Sequence, residues 1–156
     1  MNDVEEQLKQ ALIEEATLQF NSFSNETAFE VAKKIYHHAR DNAWPITFDI
    51  IRAGQQLVHC AMPGTSVDND EWIRRKNNVV NRFGHSSRYM GLYYQSLGKT
   101  IETESFLDAG EFIPYGGGFP ISIKNTGVIG TVTVSGLPGN GDHEAVVLVL
   151  REILSL

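Results

Sequence analysis

Apolar side chains first recur at helical spacing in Val4, Leu8, Ala11 and Leu12, which predicts a short opening helix that reaches Glu15 and has an acidic outer face. Thr17-Leu18-Gln19-Phe20 then alternates, as a short strand would. Ser24 is a good helix N-cap, and Ala28, Val31, Ala32, Ile35, Tyr36 and Ala39 repeat at three and four residues. That is the clearest amphipathic helix in the chain, and it must close before Pro45, which has no N–H to continue it. Residues 46–52 and 55–62 are β-rich runs joined by Ala53-Gly54, the pattern of a hairpin, and Pro63-Gly64 breaks the second. Asp68 or Asp70 can cap the next helix, which carries Trp72, Val79, Val80 and Phe83 and stops at Gly84. Ser86 or Ser87 starts another with Tyr89, Met90, Leu92, Tyr93 and Leu97, ended by Gly98. After an irregular stretch, 119–124 and 128–135 pair around Asn125-Thr126-Gly127, and Asp142 caps a final helix with Val146, Val147, Leu150, Ile153 and Leu154. Hairpins dominate the strand connections, so the expected class is α+β, a three-layer α-β-α arrangement around a mainly antiparallel sheet. Residues 1–156 contain no repeat, linker or low-complexity tract and read as a single domain.

Composition narrows the function classes. One cysteine, Cys60, excludes an internal disulfide framework and a multi-thiolate metal site. No run approaches a membrane span, and Met1 leads into Asn2, Asp3, Glu5 and Glu6 rather than a signal peptide, so the expected location is cytoplasmic, with no membrane partner. The net charge is −6, yet it is unevenly spread. Between Trp72 and Ile101 there is no acid, while Arg74, Arg75, Lys76, Arg82, Arg88 and Lys99 all fall inside. A basic segment on an acidic molecule suits a small anion better than nucleic acid, which needs a broad cationic face. The same asymmetry would equally serve a subunit interface in which the segment meets an acidic helix of another copy.

Lys76 is the most informative position. Trp72, Lys76, Val79, Val80 and Phe83 fall on one helical stripe, which turns the lysine inward, with Arg75 flanking it and Arg82 further along. A buried ammonium has to meet an anion or reach a cavity; the alternatives are that it snorkels to water or pairs with a structural carboxylate. At the junction that follows, His85 and Ser86 would hold a carboxylate or phosphate at a helix N-terminus, or else Ser86 simply caps and His85 is bonded internally. Gly116, Gly117 and Gly118 precede a strand and allow close backbone approach to a ligand, or form a strand-entry bulge. They match neither phosphate-binding fingerprint. His59 and Cys60 are strand neighbours pointing to opposite faces, which defeats a dyad between them. The five histidines show no local metal-ligand spacing, so no metal site is expected and no catalytic residue is assigned.

The strings Pro63-Gly64-Thr65-Ser66, Asp68-Asn69-Asp70-Glu71-Trp72-Ile73-Arg74-Arg75-Lys76 and Val79-Val80-Asn81-Arg82-Phe83-Gly84-His85-Ser86-Ser87 resemble uncharacterised protein family 0303. Gly116-Gly117-Gly118-Phe119-Pro120-Ile121 and the run from Gly127 to Pro138 fit the same family. It is grouped with the GlcG/HbpS-like, haem-degrading superfamily. The resemblance implies a sheet of about five antiparallel strands flanked by helices, similar to profilin-like or PAS-like folds, and a homo-oligomer. It also implies a small-molecule pocket at Arg75, Lys76 and the Gly116–Gly118 loop. Some members of the superfamily bind haem and promote its breakdown, and others sit in glycolate-utilisation operons.

The expected function is therefore a homo-oligomeric domain that binds a small anionic molecule through Arg75, Lys76, Arg82, His85, Ser86, Gly116, Gly117 and Gly118. The alternatives are a haem-binding or haem-degrading protein, and a non-enzymatic assembly protein.

Overall fold

The computed structural model describes residues 3–156; Met1 and Asn2, part of the acidic start read above, lie outside them. Helix α1 spans Asp3–Thr17 and α2 spans Asn25–Asp41, the latter closed by a capping box in which Ser24 and Thr27 each accept the other's N–H at 3.1 Å. Strands β1 (Thr47–Arg52) and β2 (Gln55–Ala61) form the expected hairpin. Helices α3 (Val67–Phe83) and α4 (Ser87–Leu97) end at Gly84 and Gly98, both at positive φ, as their sequence position predicts. A five-residue helix, α5 (Ile101–Ser105), is held by a Thr100/Thr103 capping box and was not expected. Strands β3 (Gly118–Ile123) and β4 (Gly127–Ser135) precede α6 (Gly141–Leu154). No helix among the described residues is long and apolar enough to cross a membrane.

Four expectations are corrected. Among the described residues the sheet has four strands, ordered β2-β1-β4-β3 and antiparallel throughout, rather than about five. Residues 17–20 form no strand, because the N–H of Leu18 bonds back to Glu14 in the helix and only Phe20 reaches the sheet edge, bridging Ile123. The cap of α3 is Ser66, in a box with Asn69, rather than Asp68 or Asp70. Those two acids instead bond Trp72 Nε1 at 3.1 Å and His59 Nε2 at 2.8 Å. Asp142 caps nothing either: α6 begins after Asn140 without a side-chain cap.

Successive strand residues face opposite sides, and here the two sides differ in chemistry. Phe48, Ile50, Phe119, Ile121, Val132 and Val134 pack against α2 and α6 in the main apolar core. The other face presents Thr47, Asp49, Thr131, Thr133 and Ser135, all buried. Helix α3 covers it, and sets Lys76 and Asn77 down on it beside the apolar Ile73, Val79 and Val80. Asn77 matches this layer from both ends of its amide: Oδ1 accepts the Thr133 hydroxyl, and Nδ2 points to Asp49 Oδ1 at 3.5 Å. Helix α3 thus forms the third layer, and helix α1 lies outside, against α4.

Ser66→Ala should lower unfolding free energy by about 1 kcal/mol, and Ser66→Asp should restore most of it, as read by urea denaturation. Burial pushes the Asp49 carboxyl from 3.8 up to about 6, with hydrogen bonds from Asn77 and Gln56 opposing. The folded state therefore holds a proton that the unfolded chain has released, so stability should fall as pH rises from about 4 to about 6 and level off above. In Asp49→Asn that slope should vanish, with a gain of up to about 3 kcal/mol at neutral pH.

Candidate functional site

Helix α3 carries Lys76 to the end of the sheet where β4 runs out into the 136–142 turn. The side chain is 3% exposed. Its Nζ donates to the Val134 carbonyl at 3.0 Å and to Asp142 Oδ2 at 3.0 Å. Asp142 Oδ1 accepts the Leu137 N–H at 2.8 Å, which fixes the turn around the carboxylate. Burial pushes the Lys76 amine below its ordinary value, and the Asp142 charge and hydrogen bond oppose that shift. Of the outcomes open to this lysine, the structure selects a structural carboxylate. The expected external anion is not needed to neutralise it, because α6 supplies Asp142 from 66 residues away.

The glycine loop closes over this pair. Gly117 has φ +131°, and a Cβ there would lie 2.4 Å from the Val134 oxygen and 2.8 Å from Lys76 Nζ. Only a residue without a side chain lets the backbone come that close. Gly118 enters β3 with its N–H on Ser87 Oγ at 2.9 Å. Gly116 stands against Asn140, whose buried Oδ1 has no hydrogen-bond partner.

Above the pair opens a cleft of about 460 Å³, with Lys76 on its floor and Trp72, Arg88, Tyr115, Gly116 and Asn140 among its walls. Trp72 stacks with Tyr115, ring centroids 5.7 Å apart, and carries the Arg75 guanidinium 4.5 Å from its ring. Arg88 donates to Gln7 Oε1 at 2.7 Å and has no acidic partner among the described residues. Sequence reasoning counted Arg88 in the basic segment without placing it in a site. Only the α3–α4 turn and the long 106–117 connection bring it opposite Lys76.

Other expected site residues lie elsewhere. Arg82 is exposed at the far end of α3 and does not line the cleft. His85 and Ser86 do hold a carboxylate, but it belongs to the chain: Glu15 Oε1 lies 3.0 Å from His85 Nδ1 and accepts the Ser86 N–H at 3.3 Å. Ser86 Oγ caps α4 through Tyr89 N. Part of the basic segment is likewise satisfied at home, since Arg74 bonds Glu71 at 3.0 Å and Glu111 at 2.6 Å.

Comparison places these elements among known proteins. The sequence pattern of the family described as haem degrading protein HbpS-like matches residues 23–151. A UPF0303 protein of Streptomyces coelicolor is 42% identical, over 90% of this chain and 89% of its own. The crystal structure of the Ybr137w protein superposes with a TM-score of 0.87 at 30% identity, covering 95% of this chain and 87% of that one. A PduOC:heme complex shares the fold, with a TM-score of 0.69 at 18% identity, over 85% of this chain and 94% of that one.

Removing one partner of a buried pair strands the other, so Lys76→Met should cost about 3–5 kcal/mol in urea denaturation, and Lys76→Met with Asp142→Asn together should cost less than Lys76→Met alone.

Proposed function

The chain belongs to the haem-degrading HbpS-like family and, within it, to the UPF0303 proteins, and on that premise we propose that it binds a small anionic organic molecule in the cleft above Lys76. The observation that carries this reading is Arg88, a guanidinium in the cleft wall with no internal carboxylate among the described residues. A cation left without a counter-ion at the edge of a partly desolvated cleft favours a ligand carboxylate or phosphate, which a guanidinium meets with paired N–H donors. The role of Lys76 shifts accordingly: it holds the floor and the α6 terminus in place, and the ligand's charge falls to Arg88.

Haem, the group in the family's description, calls for an apolar slot and an axial donor. The residues here do not fit it within a single copy of the chain. No histidine is among the residues that line the cleft above Lys76. The walls of that cleft are mostly polar, with Asp68, Asn69, Arg88 and Asn140 among them. The proposed ligand is smaller than a porphyrin and hydrophilic. The same reading takes the chain as cytoplasmic and as one copy of a homo-oligomer, the latter supported by the exposed Phe29 and Tyr36 seven residues apart on α2.

Acetate, oxalate and inorganic phosphate at constant ionic strength should raise the melting temperature of the wild type by a few degrees and leave Arg88→Ala unmoved. An unresponsive wild type, an equal response in Arg88→Ala, or a haem Soret shift with no anion effect would overturn the assignment.

A further inference from the structure

The polar layer under α3 opens a second time, on the β2 side. A cleft of about 530 Å³ lies there, with Asp49 in its floor, His59 and Asp70 on one side and Gln56, Asn78 and Asn81 around it. Asp49 is 4% exposed, and no cation lies within ion-pair distance of it among the described residues. His59 stands directly across the strand pair from Asp49, and the amides of Asn77 and Gln56 donate to it, but each charged neighbour is itself bonded to another partner. On β2, the His59 ring meets Asp70 at 2.8 Å; on α3, Arg74 is held by Glu71 and Glu111. From β4, the residues that face this layer, Thr131, Thr133 and Ser135, are all neutral, and Thr133, opposite Asp49, is bonded to Asn77. At neutral pH the floor of the cleft is therefore a buried carboxylate without a counter-ion, which is unfavourable unless a cation joins it.

We infer that this cleft binds a small primary ammonium, with Asp49 as its counter-ion. A primary ammonium has three N–H donors to place. One goes to Asp49, and the cleft offers further acceptors in the amide oxygens of Asn78 and Asn81. Asn78 uses its Nδ2 on the Glu111 carbonyl at 2.8 Å, which leaves its oxygen open. A divalent metal fits less well, since hard cations gather several carboxylate oxygens. Here Asp70 is committed to His59, and the described residues hold no group of three or more metal-capable side chains. The inference is independent of the anion cleft, because the two pockets share no lining residue.

Ethylammonium chloride is a suitable probe, titrated against wild type, Asp49→Asn and Arg88→Ala and followed by the side-chain amide NMR signals of Asn78 and Asn81. The wild type at pH 7.5 should show saturable shifts, Arg88→Ala should match it, and Asp49→Asn should bind at least tenfold more weakly. Affinity in the wild type should also fall below about pH 6, as Asp49 takes up its proton, a readout that survives if Asp49→Asn fails to fold. The absence of saturable shifts, equal binding by Asp49→Asn, or the same response to sodium, magnesium or tetramethylammonium chloride would overturn the inference.

Discussion

Helix α3 rests on a sheet face made of hydroxyls and a carboxylate, and apart from the Thr47 and Thr131 hydroxyls, which have no partner, the polar groups buried there have to be answered. Lys76 and Asn77 provide the answer from one turn of the helix. An apolar α3 would deprive Asp49 of the Asn77 amide, Thr133 of its acceptor and the Val134 carbonyl of the Lys76 ammonium, at a cost comparable to that of each lost hydrogen bond. The Lys76–Asp142 pair does more than satisfy charge. It ties α3 to the first turn of α6 across the end of β4, and so positions the glycine loop, the 136–142 turn and the wall that carries Arg88. The opposite face, with Phe48, Ile50, Val132 and Val134, holds the molecule together by ordinary apolar burial and leaves the α3 side free to specialise.

Both clefts follow from this arrangement. Where a polar layer runs under a helix, its two margins are hydrophilic and partly sheltered, and a bound molecule there can meet fixed donors and acceptors. One margin displays a guanidinium without a carboxylate, the other a carboxylate without a cation. The remaining charged contacts close the fold rather than open a site. Adjacent Glu14 and Glu15 on α1 take His143 and His85 respectively, so this outer helix is fastened to both α6 and the α3–α4 junction.

Much of the architecture was legible in the sequence because its signals are local. Ser24, Gly84, Gly98 and the Ala53-Gly54 turn mark their elements by chemistry that acts within a few residues. Residues 17–20 misled because Leu18 and Phe20 are buried, as alternate strand residues would be, while the preceding helix had already claimed the Leu18 N–H. Asp68 and Asp70 resembled caps because their type suits the role, yet Ser66 stood two residues earlier with Asn69 in register. The inward lysine was readable from periodicity, whereas its partner was not. Asp142 lies in a different helix, and no short-range pattern links the two. Arg88 was hidden for the same reason: its place opposite Lys76 is a property of the chain path, not of its neighbours in sequence.

The glycine loop over Lys76 is built from main chain, with no side chain between Gly117 and the buried pair. A floor sealed in this way gives mutation nothing to adjust, since any substitution at Gly117 drives a carbon into Val134 or Lys76. Side chains that can change without disturbing this base are confined to the rim, at positions such as Tyr115, Arg88 and Asn140. The contacts that keep the protein folded and the side chains that shape the mouth of the cleft are thus separate sets.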